Sequence, residues 1–260
     1  MITASSNSKV RYVQQLQKKA KLRREEGVFL VEGPKMYEEL PTKWIISVYV
    51  SESFSQEEQN RALLNRHEYE IVKDSVFTDM CDTKTPQGIL AVARQPAYQW
   101  EDLIPSNRPA LLLVLDTIQD PGNLGTMMRA GEGAGMTGIL MTRDTVDMYN
   151  PKTIRATMGS LFRVPFLYTE HIEEDLKQLK SRGVRLYAAH LNGTVSYDAF
   201  SYQESCGFLI GNEANGLSKK VADLADTYIR IPMKGKVESL NAAIASSILL
   251  YEAARQRRQV

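Results

Sequence analysis

Apolar and polar positions along the chain fall into two regimes. Between Lys9 and Arg24, "KVRYVQQLQKKAKLRR" sets Val10, Val13, Leu16 and Ala20 at helical spacing among polar residues, which predicts one amphipathic helix. The runs "VFLVEG" and "WIISVYVS" have strand length, with "PKMYEEL" between them as a helix. A mixed helical stretch then runs to about Glu70, followed by "EIVKDSVFTDM" and "GILAVAR". Strand and helix alternate, as in a small α/β module. From Ala110 onward the apolar runs are nearly continuous: "ALLLVLD", "GILMT", "VRLYAAH", "CGFLIG" and "TYIRIP", with helices between them and a long terminal helix from about Ser239. Such runs predict a parallel sheet covered on both faces. The proline-bearing stretch "QPAYQWEDLIPSNRP" shows no periodicity and reads as a connection. The predicted organisation is a smaller α/β domain over residues 1–95, a linker over 96–108 and a larger α/β domain over 109–260.

Composition narrows the classes. A chain of 260 residues, 43% of them hydrophobic, is long enough to bury two modest cores. Its formal net charge of +1 gives no overall basic field, so any nucleic-acid contact must come from a local patch. One such patch exists: the segment from Lys9 to Arg24 carries seven basic residues and no acidic one, which suits either a solvated helix face or a contact with RNA. Cys81 and Cys206 make no disulfide framework and no zinc spacing, so they read as buried thiols. The start "MITASSNSKV" has no signal-peptide core and no apolar run approaches membrane-spanning length, which predicts a cytoplasmic protein without a membrane partner.

Three loops then concentrate the chemistry. "TIQDPGN" follows Asp116, "GNEANGLS" follows Ile210 and "MKGKVESLN" follows Pro232. In a parallel sheet the carboxyl ends of the strands share one edge, where a ligand crevice forms, so the three loops are expected to build one site. In the first loop Pro121-Gly122 reads as a turn and Asn123 as an N-cap, with a helix from Leu124. Arg129 on that helix leans back over Gly125. The segment is not a dinucleotide fingerprint, because Met136 stands where the third glycine is required after Gly131 and Gly133. Mid-helix glycines at 125, 131 and 133 each cost roughly 1 kcal/mol relative to alanine, and the expectation is that they clear space for Arg129. Taken singly, Arg129 also suits a surface salt bridge, Glu213 a cap or ion-pair partner, Ser239 an N-cap and Asn241 a first-turn position. In the terminal helix Leu240, Ile244, Ile248 and Tyr251 form one stripe flanked by small residues, which suits close packing in the core or across a dimer.

Together "DPGNLGTMMRAGEGAG", "LIGNEANGLS" and "IPMKGKVESLNAAIASSILLYE" resemble, in order and spacing, the three motifs of the SpoU or TrmH family of RNA ribose 2′-O-methyltransferases. The resemblance covers residues 109–260, and "NPKTIRATMGSLFRVPF" also looks like that family. The first domain is similar to an N-terminal module that many members carry, itself resembling a ribosomal RNA-binding protein. The resemblance implies a deep trefoil knot in the C-terminal part, a homodimer with its active site at the subunit interface, S-adenosyl-L-methionine bound in a bent shape, and no metal. Motif matching puts the cofactor's adenosine on the backbone of Gly211, Ile231 and Leu240, with His190 and Met233 close by. His190 departs from the small hydroxyl residue many relatives have there. The family's catalytic positions fall on Asn123, Arg129, Glu213, Ser239 and Asn241.

The resemblance turns the basic helix toward RNA contact through Lys9, Arg11, Lys18, Lys19, Arg23 and Arg24. By analogy ribosomal RNA is the favoured substrate, with transfer RNA as the alternative. The implied reaction is attack of a ribose 2′-hydroxyl on a sulfonium methyl, with loss of the hydroxyl proton. Holding an arginine neutral near pH 7 costs on the order of 7 kcal/mol, so a phosphate-clamping role for Arg129 is weighted above a base role. Two rivals remain: a non-catalytic RNA-binding or ribosome-assembly protein on the same scaffold, and a Rossmann-type methyltransferase. The second requires a glycine-rich loop directly after the first strand, where this chain has "TIQDPGN".

Overall fold

The computed structural model describes residues 1–258. Two compact units emerge: Met1–Ala97 together with Asp147–Phe162, and Tyr98–Val146 together with the chain from Arg163 onward. In chain order the first unit begins with α1 (Ser8–Lys18), α2 (Ala20–Glu26), β1 (Val28–Glu32), α3 (Pro34–Glu39) and β2 (Ile45–Ser51). It continues with α4 (Glu52–Gln56), α5 (Arg61–Leu64), β3 (Glu70–Val72), α6 (Asp74–Met80) and β4 (Ile89–Arg94). The second unit then supplies α7 (Trp100–Leu103), β5 (Leu111–Asp116), α8 (Pro121–Gly133) and β6 (Gly138–Thr142). Helix α9 (Pro151–Thr157) belongs to the first unit. The rest of the second unit is β7 (Phe166–Thr169), α10 (Ile172–Ser181), β8 (Arg185–Ala189), β9 (Val195–Ser196), β10 (Cys206–Gly211), α11 (Lys219–Ala222), β11 (Thr227–Arg230) and α12 (Ala242–Arg257).

The first unit is a mixed four-stranded sheet in the order β1-β4-β2-β3. β4 runs antiparallel to both β1 and β2, and β3 lies parallel to β2. Val10, Val13 and Leu16 on α1 are buried with Leu30, Tyr49, Val72, Phe77, Leu90 and Val92, as the helical spacing predicts. The single helix expected from Lys9 to Arg24 is instead two. Lys19 leaves the helical region at φ −113° and ψ 99°, which ends α1 and reorients α2. That break turns Arg23 inward, where its guanidinium donates to the terminal carbonyls of α1, Leu16 O at 2.5 Å and Gln17 O at 3.2 Å. The same group forks onto Asp147 Oδ2 at 2.6 and 3.1 Å. Arg23 is 3% exposed, so it does not join the RNA-contacting face expected of it; it ties the segment from Asp147 to the first unit.

That segment adds aromatic packing. Tyr149 and Phe162 stack near Phe29 with ring centroids 4.9 and 6.5 Å away, and Arg155 pairs with Asp82 at 2.8 Å. Within the range 109–260 expected of the larger domain, Asp147–Phe162 thus finds its partners near the amino terminus. The proline-bearing connection is also more ordered than its lack of periodicity suggests. Leu103 on α7 is fully buried, its carbonyl accepts from Thr137 Oγ1 at 2.7 Å, and Tyr98 packs edge-on to Phe166.

The second unit holds a seven-stranded sheet, β7-β6-β5-β10-β8-β11-β9, with every pairing parallel. The strands from β5 to β7 step one way and the later strands step the other, so the order reverses between neighbours β5 and β10. All strand carboxyl ends share one edge, and a ligand crevice belongs at such a reversal. One sheet face is covered by α10 and α11 through Leu176, Leu179 and Val221. α8 and α12 pack against each other, and α12 is pinned at its end by Arg257, which donates to the carbonyls of Tyr202, Ala110 and Glu204. The buried side of α12 is Ala242, Ala243, Ser246, Leu249, Leu250 and Ala253. The stripe containing Ile244 and Tyr251 lies outside, 53% and 48% exposed.

Candidate functional site at the carboxyl edge of the parallel sheet

The site is built where β5 and β10 end side by side. Asp116, the last residue of β5, is buried, and its carboxylate accepts the Ser218 N–H at 2.8 Å. Asn212, the first residue after β10, donates from Nδ2 to Thr117 O at 2.8 Å, and its Oδ1 accepts the N–H groups of Ala214 and Asn215. The two strand ends thus tie the first loop to the second. Gly211 is required by close approach: a Cβ there would overlap the backbone of Gly216 and Leu217, which folds back over it through paired Asn212 and Gly216 bonds. Asp116 and Asn212 were not among the residues expected from the sequence, although each is the polar residue at the end of an apolar strand.

Glu213 closes the next layer. Its carboxylate accepts the N–H groups of Gln119 and Asp120, each at 3.2 Å, and Asn123 Nδ2 at 3.0 Å. Asn123 Oδ1 in turn accepts from Asn241 Nδ2 at 3.0 Å. Asn241 Oδ1 caps α12 by accepting the N–H groups of Ala243 and Ile244. A chain of hydrogen bonds therefore links all three loops through Glu213, Asn123 and Asn241. Partial burial pushes the Glu213 carboxyl upward, but the donors from Asn123, Gln119 and Asp120 outweigh it and hold the group below the usual carboxylate range.

Two local details differ from the sequence reading. The N-cap of α8 is Asp120, which accepts the Asn123 N–H at 2.7 Å, and Pro121 is the first helical residue, a position suited to its missing donor. Asn123 thus lies inside the first turn, free to use its amide across loops. At the other helix Asn241, not Ser239, is the N-cap, and Ser239 is exposed. Gly131 and Gly133 of α8 serve packing and not Arg129. A Cβ at Gly131 would overlap the Met136 side chain, and one at Gly133 would lie 2.8 Å from Tyr251 Oη on α12.

Arg129 itself is exposed on α8, four residues past buried Gly125, and its side chain has no hydrogen bond or ion pair among the described residues. His190 follows β8, between the ends of β10 and β11. Its Nδ1 accepts the Asn192 N–H at 3.1 Å, which leaves Nε2 as the protonated nitrogen, and its ring lies 5.0 Å from that of Tyr228. Ile231, Met233 and Leu240 are half-buried in a segment outside any helix, strand or hydrogen-bonded turn. In the first unit, Arg11, Lys18, Lys19 and Arg24 are exposed, and Lys9 pairs with Glu70 at 2.5 Å.

Polar loops that converge where the strand order of a covered parallel sheet reverses define the ligand crevice of an α/β enzyme fold. The chain belongs to the SpoU rRNA Methylase family, whose model matches residues 110–251, and an MRM3-like substrate binding domain matches residues 7–91. It is 31% identical to RlmP of Bacillus subtilis, a 23S rRNA guanosine 2′-O-methyltransferase, over 96% of this chain and 97% of that one. Among solved structures, AviRb of Streptomyces viridochromogenes in complex with AdoMet superposes with a TM-score of 0.88 at 27% identity, covering 96% of this chain and 98% of that one. An AdoMet-bound rRNA methyltransferase from Sinorhizobium meliloti gives 0.87 at 31% identity, with 99% and 98% covered.

Proposed function

We propose that the chain methylates a ribose 2′-hydroxyl of ribosomal RNA, with S-adenosyl-L-methionine as the methyl donor. The observation that carries this reading is the Glu213–Asn123–Asn241 chain of hydrogen bonds, which holds three family motifs together at the sheet's reversal point. The cofactor fits what surrounds it. The segment from Ile231 to Leu240 has spent none of its backbone in regular structure, so its amides and carbonyls are open to an adenine edge. Gly211 is held tightly beneath the Gly216 backbone, and Ser218 Oγ is buried beside Asp116 without a partner among the described residues. Gly211, Ile231, Leu240, Met233 and His190 would hold the adenosine and methionine parts. Bound there, the cofactor supplies an electrophilic methyl group on a sulfonium.

The chain's own residues orient the nucleophile. Arg129 is exposed and has no partner among the described residues, which suits a guanidinium that grips the phosphate beside the target ribose in two places. Asn123 and Glu213 fix the loop beneath it, and Ser239 with Asn241 hydrogen-bonds near the target nucleotide. The guanidinium positions the hydroxyl and does not take its proton, since neutralising the arginine costs on the order of 7 kcal/mol at pH 7; the proton passes to solvent as the methyl–sulfur bond breaks. Residues 1–95 serve as the RNA substrate-binding domain, with Lys9, Arg11, Lys18, Lys19 and Arg24 on its contact face, and 109–260 as the transferase apart from 147–162, which packs with the first unit. The transferase is knotted and works in the cytoplasm as a homodimer, its partner covering the exposed Ile244 and Tyr251 stripe.

Substitution at Arg129 tests the reading. Arg129→Ala is expected to abolish transfer to ribosomal RNA and keep S-adenosylmethionine affinity. Arg129→Lys separates clamp from base: little recovery at any pH marks the clamp, and activity rising toward pH 10 marks a base. Near-normal transfer by Arg129→Ala refutes the assignment.

A further inference from the structure

The first unit contains a cavity of about 520 Å³ that none of the residues assigned above enters. It lies between the β2–α4 corner, the start of α6 and the loop before β4, lined by Ser51, Ser53, Glu57, Asn60, Asp74 and Gln87 over an apolar floor of Phe54 and Phe77. The backbone is committed to this shape. Gly33 and Gly88 adopt φ of +94° and +83°, and a Cβ on Gly33 would come within 2.7 Å of Gln87 Oε1. No lysine, arginine or histidine lines the cavity.

Its polar wall is rich in unspent acceptors. Asn60 is 8% exposed, and its Nδ2 donates to Phe54 O at 3.0 Å and to Glu57 Oε2 at 3.1 Å. Two acceptor partners fix the amide's orientation, so Oδ1 points the other way, with no donor to it among the described residues. Asp74 Oδ1 holds the N–H and hydroxyl of Ser53 at 3.1 and 3.0 Å. Asp74 Oδ2 and Glu57 Oε1 have no donor among the described residues. Three oxygens therefore wait for N–H groups. Around the cavity, Lys35, Lys73 and Lys84 stand one or two residues from Pro34, Asp74 and Pro86 of the lining; all three are exposed, without an ion pair among the described residues.

Carboxylates repel phosphate, so the floor and the rim call for different parts of one ligand. We propose that this cavity receives the Watson–Crick edge of an unpaired guanine in the RNA substrate, with the lysine rim on the flanking phosphates; this rests on the RNA-methylating function proposed above. Guanine presents N1–H and N2–H₂ side by side, which suits a carboxylate acceptor, and the Gln87 amide supplies a donor for O6. Adenine places an acceptor ring nitrogen against those oxygens, and uracil has a single N–H between two carbonyls. RNA readers recognise splayed single-stranded bases by such edges.

Fluorescence anisotropy with the full-length protein tests the proposal, using a labelled ten-nucleotide uridine oligomer carrying one central guanosine, adenosine or inosine. The wild type is expected to bind the guanosine probe at least about fivefold tighter than the adenosine probe, with inosine, which lacks the N2 amine, in between. In the double variant Glu57→Gln, Asp74→Asn the amide oxygens still accept from Asn60 and Ser53, so the wall survives. Its guanosine preference should fall to within twofold, while all-uridine binding, the melting temperature and calorimetric S-adenosylmethionine affinity are kept. Equal binding of all three probes by the wild type, or a preference that persists in the double variant, overturns the proposal. So does a carboxylate-dependent spermidine site without guanosine preference, which would make the cavity an ammonium site. The probes require no cofactor and no transfer. A wild type that fails to methylate ribosomal RNA therefore refutes the proposed function separately from this comparison.

Discussion

Glu213→Gln is the most informative single change at the loop junction. The carboxylate accepts three N–H donors at 3.0 to 3.2 Å, from Gln119, Asp120 and Asn123. Glutamine keeps the shape but replaces one oxygen with an NH₂ group that faces donors. Charge-assisted bonds in a buried site contribute about 1.5–3 kcal/mol each, but Glu213 is largely exposed, so solvent reduces the whole loss to about 1 kcal/mol. At this chain length that lowers the melting temperature by about 2–4 °C at pH 7. The folded carboxyl titrates below its ordinary value of 4.5. Its stabilisation is therefore complete above pH 4.5 and disappears as pH falls through the lower folded value, which the glutamine variant cannot show. The gap in melting temperature between wild type and variant should be full at pH 7 and narrow toward the acid limit of the fold. Methyl transfer should fall by about 10- to 100-fold, because small misplacements of positioning groups are costly. A gap of the same size at pH 7 and in acid, or transfer within twofold of wild type, refutes the role of Glu213 as the organiser of the loops.

Three other outcomes are expected. Arg23→Gln leaves Asp147 without its ion partner and should cost about 3 kcal/mol in urea unfolding, with no change in the salt dependence of RNA binding beyond that of a stability-matched control. Lys18→Glu, Lys19→Glu and Arg24→Glu together should weaken RNA binding and flatten its salt slope by about 0.7 to 0.9 per lost phosphate contact, with S-adenosylmethionine affinity kept; an unchanged slope returns that face to solvent. Light scattering should give about twice the chain mass of 29.3 kDa, and Tyr251→Glu should shift it toward the monomer; a fully active monomer removes the shared interface.

What could be read from the chain alone divides by the range of the interactions involved. β5, β6, β8 and β10 were legible because a strand buried on both faces is a nearly continuous apolar run, and β11 from the β-branched and aromatic residues of its short "TYIRIP". β7 and β9 were not, at four and two residues, too short to stand out from flanking loops. The loop edge was legible from strand polarity alone, and Asn123, Glu213 and Asn241 meet there. The hydrogen bonds joining them were not, since Glu213 and Asn123 are 90 residues apart. Arg23 looked like one more surface cation because its partner Asp147 lies 124 residues on. Gly131 and Gly133 were misattributed for a similar reason: one of the groups they admit, Tyr251, comes from the far end of the chain. Reading Asn123 as the cap missed a signal that was present, since a proline in first helical position marks the residue before it, Asp120.

The chain passes between its two units three times, at Ala97/Tyr98, Val146/Asp147 and Phe162/Arg163. Modular exchange is thereby constrained. A truncation beginning at Tyr98 would strip Tyr149 and Phe162 of Phe29 and leave Asp147 without Arg23, while a fragment ending at Ala97 would lack the same partners from its side. A substrate domain transplanted from a relative must therefore bring two segments, the amino-terminal stretch and its own version of 147–162. In such chimeras the shorter segment, inside the transferase portion of the sequence, decides whether the graft folds.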